Sequence, residues 1–579
     1  MSVRIKRQGN RKHFGNSVLE KKIQHWRVNL VLGILLIAFI ALIVRSTYLQ
    51  TINDDFLQSK GDSRYLREIE ISAMRGKITD RNGNLLAVST PMKSIWALPS
   101  DAKNMSNEQK NALAKLLEMS PREIDQKLAT DKNFVYLKRQ ISPEIAQMIA
   151  ELKINGIHQE KSYKRFYPNG EITAHIVGFT DVNDKGQEGI ELAFEKDLPG
   201  KSGSRKVIRD RRGNIIEDVQ AMIPPLDGKE INLSIDSKIQ YVAYTELLEA
   251  IKKHKAKAGS AIVVDAQSGE ILALVNYPTY NPNDRGRLSG EQLRNRAVTD
   301  SFEPGSTLKP FTVALALDKG LYNYNTLIDT SPGRMTIGTA TISDSHANGV
   351  LTVAQVIQKS SNIGTAKISL RLDPKDMWQM FDNLGFGKSP NLGFPGESKG
   401  RVRPYKNWLP IEQATMSYGH GISVSVVQLA KAYTAFARRG EVIPLTLKKQ
   451  TSADLANLHG QKIFSDQTVR EMRAMLELAT SVGGTSPLAQ IPGYRIGGKT
   501  GTAHKIEAGG YVKKYITSFI GLAPIDEPKL IVGVVIDEPT AGTHYGGTVA
   551  GPVFSKIMGS SLKMIGVQPN ENLVSKKQK

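Results

Sequence analysis

Residues 28–44, VNLVLGILLIAFIALIV, carry no charge over seventeen positions, and only Asn29 among them is strongly polar. As a helix rising 1.5 Å per residue, such a run reaches about 26 Å, the short end of what crosses a bilayer. Trp26 and Tyr48 flank it as interfacial anchors would. Ahead of it, residues 1–27 hold Arg4, Lys6, Arg7, Arg11, Lys12, Lys21, Lys22 and Arg27 against the single acid Glu20, a local +7 of the total +21. A buried core helix seldom follows a basic tail. A cleaved signal would need a small-residue site, whereas RSTYLQ follows Val44. The run therefore reads as an uncleaved signal anchor. The positive-inside rule keeps the basic tail in the cytoplasm and puts everything after residue 50 outside it.

The anchor also disposes of part of the charge. An excess of 77 basic over 56 acidic residues suggests an anionic partner, whether nucleic acid, a membrane surface or an acidic polymer. Seven of those units are spent on topology, which leaves +14 on the exported remainder, and no nucleic acid is needed to explain the tail. The chain has no cysteine, which excludes disulfides, thiolate nucleophiles and cysteine-based metal sites.

Two soluble units follow the anchor, residues 51–226 and 227–565, with a short tail at 566–579 that ends in Lys576, Lys577 and Lys579. In the first unit, Ser106-x-x-Gln109 and Ser120-Pro121-x-Glu123 are capping boxes, and Ser142-Pro143 is a further helix start. Behind them Leu113, Leu116 and Leu117, then Ile145, Met148, Ile149 and Leu152, recur at helical spacing and predict core faces. Three turn-rich pieces surround these helices: RGKITDRNGNLLA (75–87), RFYPNGEITAHIVGF (165–179) and GQEGIE (186–191). The first contains the hairpin dipeptide Asn82-Gly83. None pairs a nucleophile with a base, so this unit reads as structural, and the paired prolines of residues 223–226 suit its boundary.

The second unit has apolar strand pairs at both ends, residues 260–265 with 270–276 and 518–523 with 530–536, and mainly helical sequence between, as in 351–370 and 413–439. That arrangement predicts an α+β fold, one antiparallel sheet flanked by helices.

Three constellations in this unit carry chemistry. In Glu303-Pro-Gly-Ser306-Thr-Leu-Lys309-Pro310, the proline confines the helix start to the neighbourhood of Ser306. Lys309 then lies one turn on, on the same face, where a desolvated amine can take the serine proton. The pattern is weak alone; Ser100-Asp-Ala-Lys103 matches it and reads as an ordinary exposed helix start. Lys359-Ser360-Ser361-Asn362 interrupts an apolar helical pattern, either as an interhelical cap or with Ser360 relaying a proton and Asn362 bonding Lys309 or a substrate amide. The third is Lys499-Thr500-Gly501 within Gly497–Thr502. Residues 493–500 also satisfy the phosphate-loop pattern, but no buried strand precedes them and no apolar helix follows. Read as a strand, the segment turns Lys499 and Gly501 one way and Thr500 and Thr502 the other, with the glycine leaving room for a substrate backbone.

S-x-x-K, S-x-N and K-T-G in that order resemble the serine–lysine acyltransferases, penicillin-binding proteins and serine β-lactamases. The blocks named above, with VDAQSGEILALVNYPTYNPN, SYGHGISVSVVQLAKAYTAFARRG and YGGTVAGPVF, extend the resemblance over residues 20–560. It is to the class B penicillin-binding proteins, and most nearly to their division-specific septal D,D-transpeptidases. The resemblance implies a membrane anchor, a pedestal or dimerisation-like domain at 51–226 and a β-lactamase-like transpeptidase domain at 227–565. It implies peptidoglycan stem peptides as substrate, β-lactams as covalent inhibitors, and no cofactor or metal. Ser306 is the implied nucleophile and Lys309 its base, with Ser360, Asn362 and Lys499 completing the catalytic set and Thr500, Gly501 and Thr502 holding substrate. The backbone N–H groups of Ser306 and Thr502 are the implied oxyanion hole. A membrane glycan polymerase and other division proteins are the implied partners, in the inner membrane at the septum. His420 and His504 have no role in such a mechanism, and Tyr511 and Tyr515 suit a cleft wall or a plain strand face. An elongation-specific transpeptidase, a carboxypeptidase or β-lactamase, and a β-lactam sensor are the alternatives.

Overall fold

The computed structural model describes residues 25–52, 66–132, 134–209, 215–218, 222–507 and 510–570; most of the basic tail and the lysine-rich end lie outside the described residues. The chain divides into two compact units, residues 1–70 with 204–223, and residues 71–203 with 224–579.

In the first unit, α1 (His25–Thr47) contains the whole apolar run, and its Leu, Ile and Phe side chains are exposed. It is long and apolar enough to cross a membrane. The same unit carries a three-stranded sheet of Leu66–Ile71, Gly203–Arg209 and Ile215–Asp218.

The second unit begins with the pedestal fold. Strand β1 (Leu85–Ala97) is followed by α2 (Asn107–Leu117), α3 (Pro121–Leu128), β2 (Val135–Ile141), α4 (Pro143–Glu151) and β3 (Ile157–Phe166). β1 pairs antiparallel with both β2 and β3. The capping boxes at Ser106 and Ser120 form as the sequence predicts, and Ser142 caps α4. Leu113, Leu117 and Ile149 enter one apolar cluster with Ile95 and Leu137. Met148 does not; it is 48% exposed, because turning Ile149 inward rotates its neighbour to the outside of this short helix.

The three turn-rich pieces meet in one ionic cluster. Glu191, with no exposed surface, takes Arg75 Nε and Arg165 Nε on its two carboxylate oxygens, each at 2.6 Å. Arg75 also reaches Glu195 at 2.6 Å, and Arg165 donates to the Gly76 carbonyl at 2.7 Å. RGKIT, RFYPNG and GQEGIE are thus one structural joint, bridged by a bidentate-capable acid between two guanidinium forks.

Beyond it, α5 (Ser237–His254), β4 (Ala258–Asp265) and β5 (Ile271–Tyr277) open the larger fold, whose helical middle includes α6 (Lys309–Asp318), α7 (Val353–Lys359), α8 (Asn362–Ser369), α9 (Val426–Ala437) and α10 (Asp466–Thr480). Then β6 (Gly497–Glu507), β7 (Gly510–Ala523), β8 (Leu530–Asp537) and α11 (Gly546–Met564) close it. The sheet is antiparallel in the order β5-β4-β8-β7-β6, so both predicted hairpins form and β6 is an edge strand. Side chains alternate between two cores. Ala261 and Val263 join Phe519 and Val534 against α5 and α11, whereas Ile262 and Val264 join Ile520 and Val535 against the helical cluster around Phe311 and Phe436. Burial on both faces explains why these strands read as unbroken apolar runs. The fold is α+β, as the sequence predicts.

Candidate active site

Gly305–Leu308 is a 3₁₀ turn that runs into α6, and the Lys309 N–H bonds the Ser306 carbonyl across it. At three residues per turn, Ser306 and Lys309 share one face. Pro310 occupies the first turn of α6, where its missing N–H leaves no helical bond unmade. Ser306 is half-buried and lines a cleft of about 610 Å³ with Ser360, Asn362, Thr500, Thr502 and Tyr545 among its walls.

Within residues 351–370 two helices meet at the interhelical cap that the sequence offers for 359–362. Ser360 adopts a left-handed φ of 58° between α7 and α8, the conformation of a helix C-cap. That break presents both its carbonyl and its hydroxyl to Lys309, whose Nζ donates to Ser360 O and, at 3.2 Å, to Ser360 Oγ. Lys499 reaches the same hydroxyl from β6 at 2.9 Å. Both lysines have no exposed surface. Burial pulls Lys499 down to about 7. Burial first and the Lys499 charge second pull Lys309 well below its usual value, against a smaller opposing pull from Asp344.

Asp344, which no motif marks, organises this turn. Its carboxylate accepts Ser361 Oγ and the Asn362 N–H, each at 2.5 Å, and the Ile363 N–H at 3.0 Å, at the N-terminus of α8. The Asn362 amide is consequently carried to the Ser343 carbonyl, at 3.0 Å, and not to Lys309 as one sequence reading has it.

On β6, Thr500 and Thr502 face the cleft, and Thr502 Oγ1 accepts the Gly546 N–H at 3.1 Å. Gly501 faces the other way. A Cβ there would lie 2.3 Å from Ser518 Oγ and 2.7 Å from the Pro304 carbonyl, so the glycine makes room for the Ser306 turn and not for substrate. The turn is seated closely: a Cβ on Gly305, whose φ is +54°, would sit 3.3 Å from the Thr502 carbonyl. A strand at 497–507 also removes the phosphate-loop reading, which needs a helix N-terminus there. Ser100 and Lys103 remain exposed at a short surface helix.

The SYGHG segment buttresses the same turn, a role the sequence reading misses because the contacts cross more than a hundred residues. Tyr418 places its ring 6.0 Å from Lys309 Nζ, and Gly419 accepts the Gly305 N–H at 3.3 Å. Gly421 donates to the Glu303 carboxylate at 2.7 Å, and Tyr511 donates to that same carboxylate at 3.0 Å. Burial raises Glu303 above the ordinary carboxylate range. His420 is driven down to about 4 by burial, Lys309 and His504, so it stays neutral at physiological pH. His504 is exposed, and Tyr515 stacks on His544 with ring centroids 3.8 Å apart.

Residues 259–559 match the penicillin binding protein transpeptidase domain and residues 70–233 the penicillin-binding protein dimerisation domain. The chain belongs to the class B penicillin-binding proteins. Among class B penicillin-binding proteins it is 44% identical to the probable peptidoglycan D,D-transpeptidase PenA of Neisseria gonorrhoeae, covering 95% of this chain and 94% of that one. It is 40% identical to the peptidoglycan D,D-transpeptidase FtsI of Escherichia coli K12, over 94% and 93% of the two chains. The apo transpeptidase domain of Burkholderia pseudomallei penicillin-binding protein 3 superposes with a TM-score of 0.54 at 52% identity, covering 58% of this chain and 97% of that one.

Proposed function

We propose that this class B penicillin-binding protein is a peptidoglycan D,D-transpeptidase that works through an acyl-enzyme on Ser306. The observation that carries the reading is the shared contact of two buried lysine amines on Ser360 beside Ser306. A neutral Lys309 amine has two N–H bonds and one lone pair. Its two donations to Ser360 leave the lone pair to accept the Ser306 proton. Ser306 Oγ then bonds the carbonyl carbon of the penultimate D-alanine, and the C–N bond to the terminal D-alanine breaks. The proton travels from Lys309 through Ser360 to the departing amine. An amine from a neighbouring stem attacks the ester carbonyl, the new C–N bond forms as the C–O bond to Ser306 breaks, and the proton lost by the amine passes to Ser306 Oγ.

The donor peptide adds along the β6 edge as an extended strand, with Asn362 on one side and Thr500 and Thr502 taking its terminal carboxylate beside Lys499. Backbone N–H groups of Ser306 and Thr502 receive the tetrahedral oxyanion. Gly501 belongs to this set as the residue that lets the serine turn close on the strand. A β-lactam enters the same cleft and acylates the same oxygen.

The apolar helix α1 supports attachment to the inner membrane with the catalytic fold on the outer side, and the likeness to FtsI and PenA supports work at the septum, where a glycan polymerase and other division proteins are the expected partners. Labelling with a fluorescent penicillin tests the chemical reading. The native chain takes the label and Ser306→Ala does not; a covalently labelled alanine variant contradicts the assignment. Release of hydrolysed penicillin on the minute scale favours a hydrolase instead.

A further inference from the structure

The cleft has a one-sided charge inventory. Among the described residues that line it there is no carboxylate, and Lys359 is the only side chain with a fixed charge. Lys309 and Lys499 lie directly beneath. The Asp344 carboxylate, beside this turn, is occupied by Ser361, Asn362 and Ile363 at the start of α8. Lys359 itself is exposed, and none of the ion pairs among the described residues includes it. Its Nζ is nevertheless held in place by the Gly483 carbonyl at 2.9 Å.

That tether has a direction. Residues 483–485 form the cleft wall next to β6, and Thr500 Oγ1 donates to Thr485 Oγ1 at 3.3 Å. Lys359 therefore stands at the end of the cleft that Thr500 borders, ordered at one donor and with two N–H bonds still to give. A cation in a concave wall without a counter-charge attracts an anionic group on whatever fills the cleft.

We propose that Lys359 recognises a carboxylate of the donor peptide at the end of the cleft closed by residues 483–485, a specificity role separate from the acyl transfer itself. The proposal rests on the transpeptidase reading of the same cleft. Its function is to draw the substrate in and hold it in register; it contributes no proton. A carboxylate can come from the C-terminal residue of the donor or from an acidic residue upstream, and the chemistry at Lys359 is the same for both. A purely structural role is the competing account, since a lysine in the last turn of α7 also complements that helix end.

The full-length protein in detergent separates these. Acylation of Ser306 is followed with three acyl-D-alanine thioesters: one with a carboxylate on its leaving group, one with that carboxylate amidated, and one amidated there but carrying an upstream carboxylate. Lys359→Gln keeps a donor for the Gly483 carbonyl and removes the charge. It is expected to lose about tenfold in kcat/KM, through KM, on a carboxylate-bearing thioester and less than about twofold on the neutral one, with the loss shrinking as salt rises. Which of the two charged thioesters suffers identifies the carboxylate. Lys359→Arg retains most of the rate. An equal loss on all three thioesters, or no loss on any, overturns the proposal. Either result leaves the transpeptidase reading intact, because that stands or falls on labelling of Ser306→Ala.

Discussion

Lys499 Nζ lies 2.9 Å from Ser360 Oγ, and the Lys309 amine meets that oxygen at 3.2 Å from the other side. Two ammonium groups this close in a dry site repel, so the pair resists holding two protons at once. The ordinary lysine would be charged at pH 7. Here Lys499 is brought to about 7 and Lys309 well below its usual 10.5.

The first prediction is a pH profile. Proton acceptance by Lys309 needs the neutral amine, so acylation by benzylpenicillin rises with pH over the range in which Lys309 loses its proton, a range moved well below that of an ordinary lysine. The Lys499 charge lowers Lys309, and removing it lets Lys309 hold its proton to higher pH. Lys499→Ala is therefore expected to move the acid limb upward in pH, in addition to any loss of rate. Stopped-flow acylation rates across this range check both; an acid limb that stays put shows that the two amines are not coupled.

A second prediction concerns Asp344. Asp344→Asn keeps the shape but gives up the charge that caps α8 and fixes the turn carrying Ser360. About 1–2 kcal/mol of stability should go with the cap. Acylation should slow about tenfold, from a hydroxyl no longer held between the lysines. Thermal unfolding and penicillin acylation rates, measured side by side, read the two effects separately.

Gly501→Ala should spare the fold and remove the chemistry. The added methyl would meet Ser518 Oγ at 2.3 Å and the Pro304 carbonyl at 2.7 Å. The hydroxyl can rotate away, but the carbonyl belongs to the turn that carries Ser306. A displacement of about 1 Å there costs on the order of 100-fold in acylation. Adding Ser518→Ala relieves only the first contact, so the double variant should remain slow; recovery of the native rate would show that the strand and not the serine turn gives way.

Much of the fold and of the candidate site was legible because its parts are local. A seventeen-residue apolar run, a capping box at Ser120 and a serine three residues ahead of a lysine and a proline each carry their geometry in adjacent positions. The alternation of β6 likewise placed Thr500 and Thr502 opposite Gly501. What Gly501 faces was not legible, since a strand period gives a side and not a neighbour. Asp344 was missed for the same reason: it acts on residues 17 to 19 positions away through a turn with no periodicity. The Glu303–Tyr511 bond spans 208 positions, beyond any pattern in one sequence. At Ser360 the sequence already offered an interhelical cap; what spacing does not give is that the left-handed break turns the hydroxyl and carbonyl of that residue to Lys309.

The pedestal joint supplies the last prediction. Glu191 sits with no exposed surface between Arg75 and Arg165, each itself almost fully buried. Glu191→Ala leaves two guanidinium groups buried without their shared counter-charge, which costs about 3–5 kcal/mol. Replacing all three residues by methionine removes the desolvation of every charge together, and should be far milder than the single change. The pair of measurements matters more than either alone. Equal destabilisation by the single and triple variants would mean that the cluster is irreplaceable as an ionic joint. In both variants the fraction that remains folded should take up penicillin at the native rate, because no atom of the joint touches the cleft around Ser306.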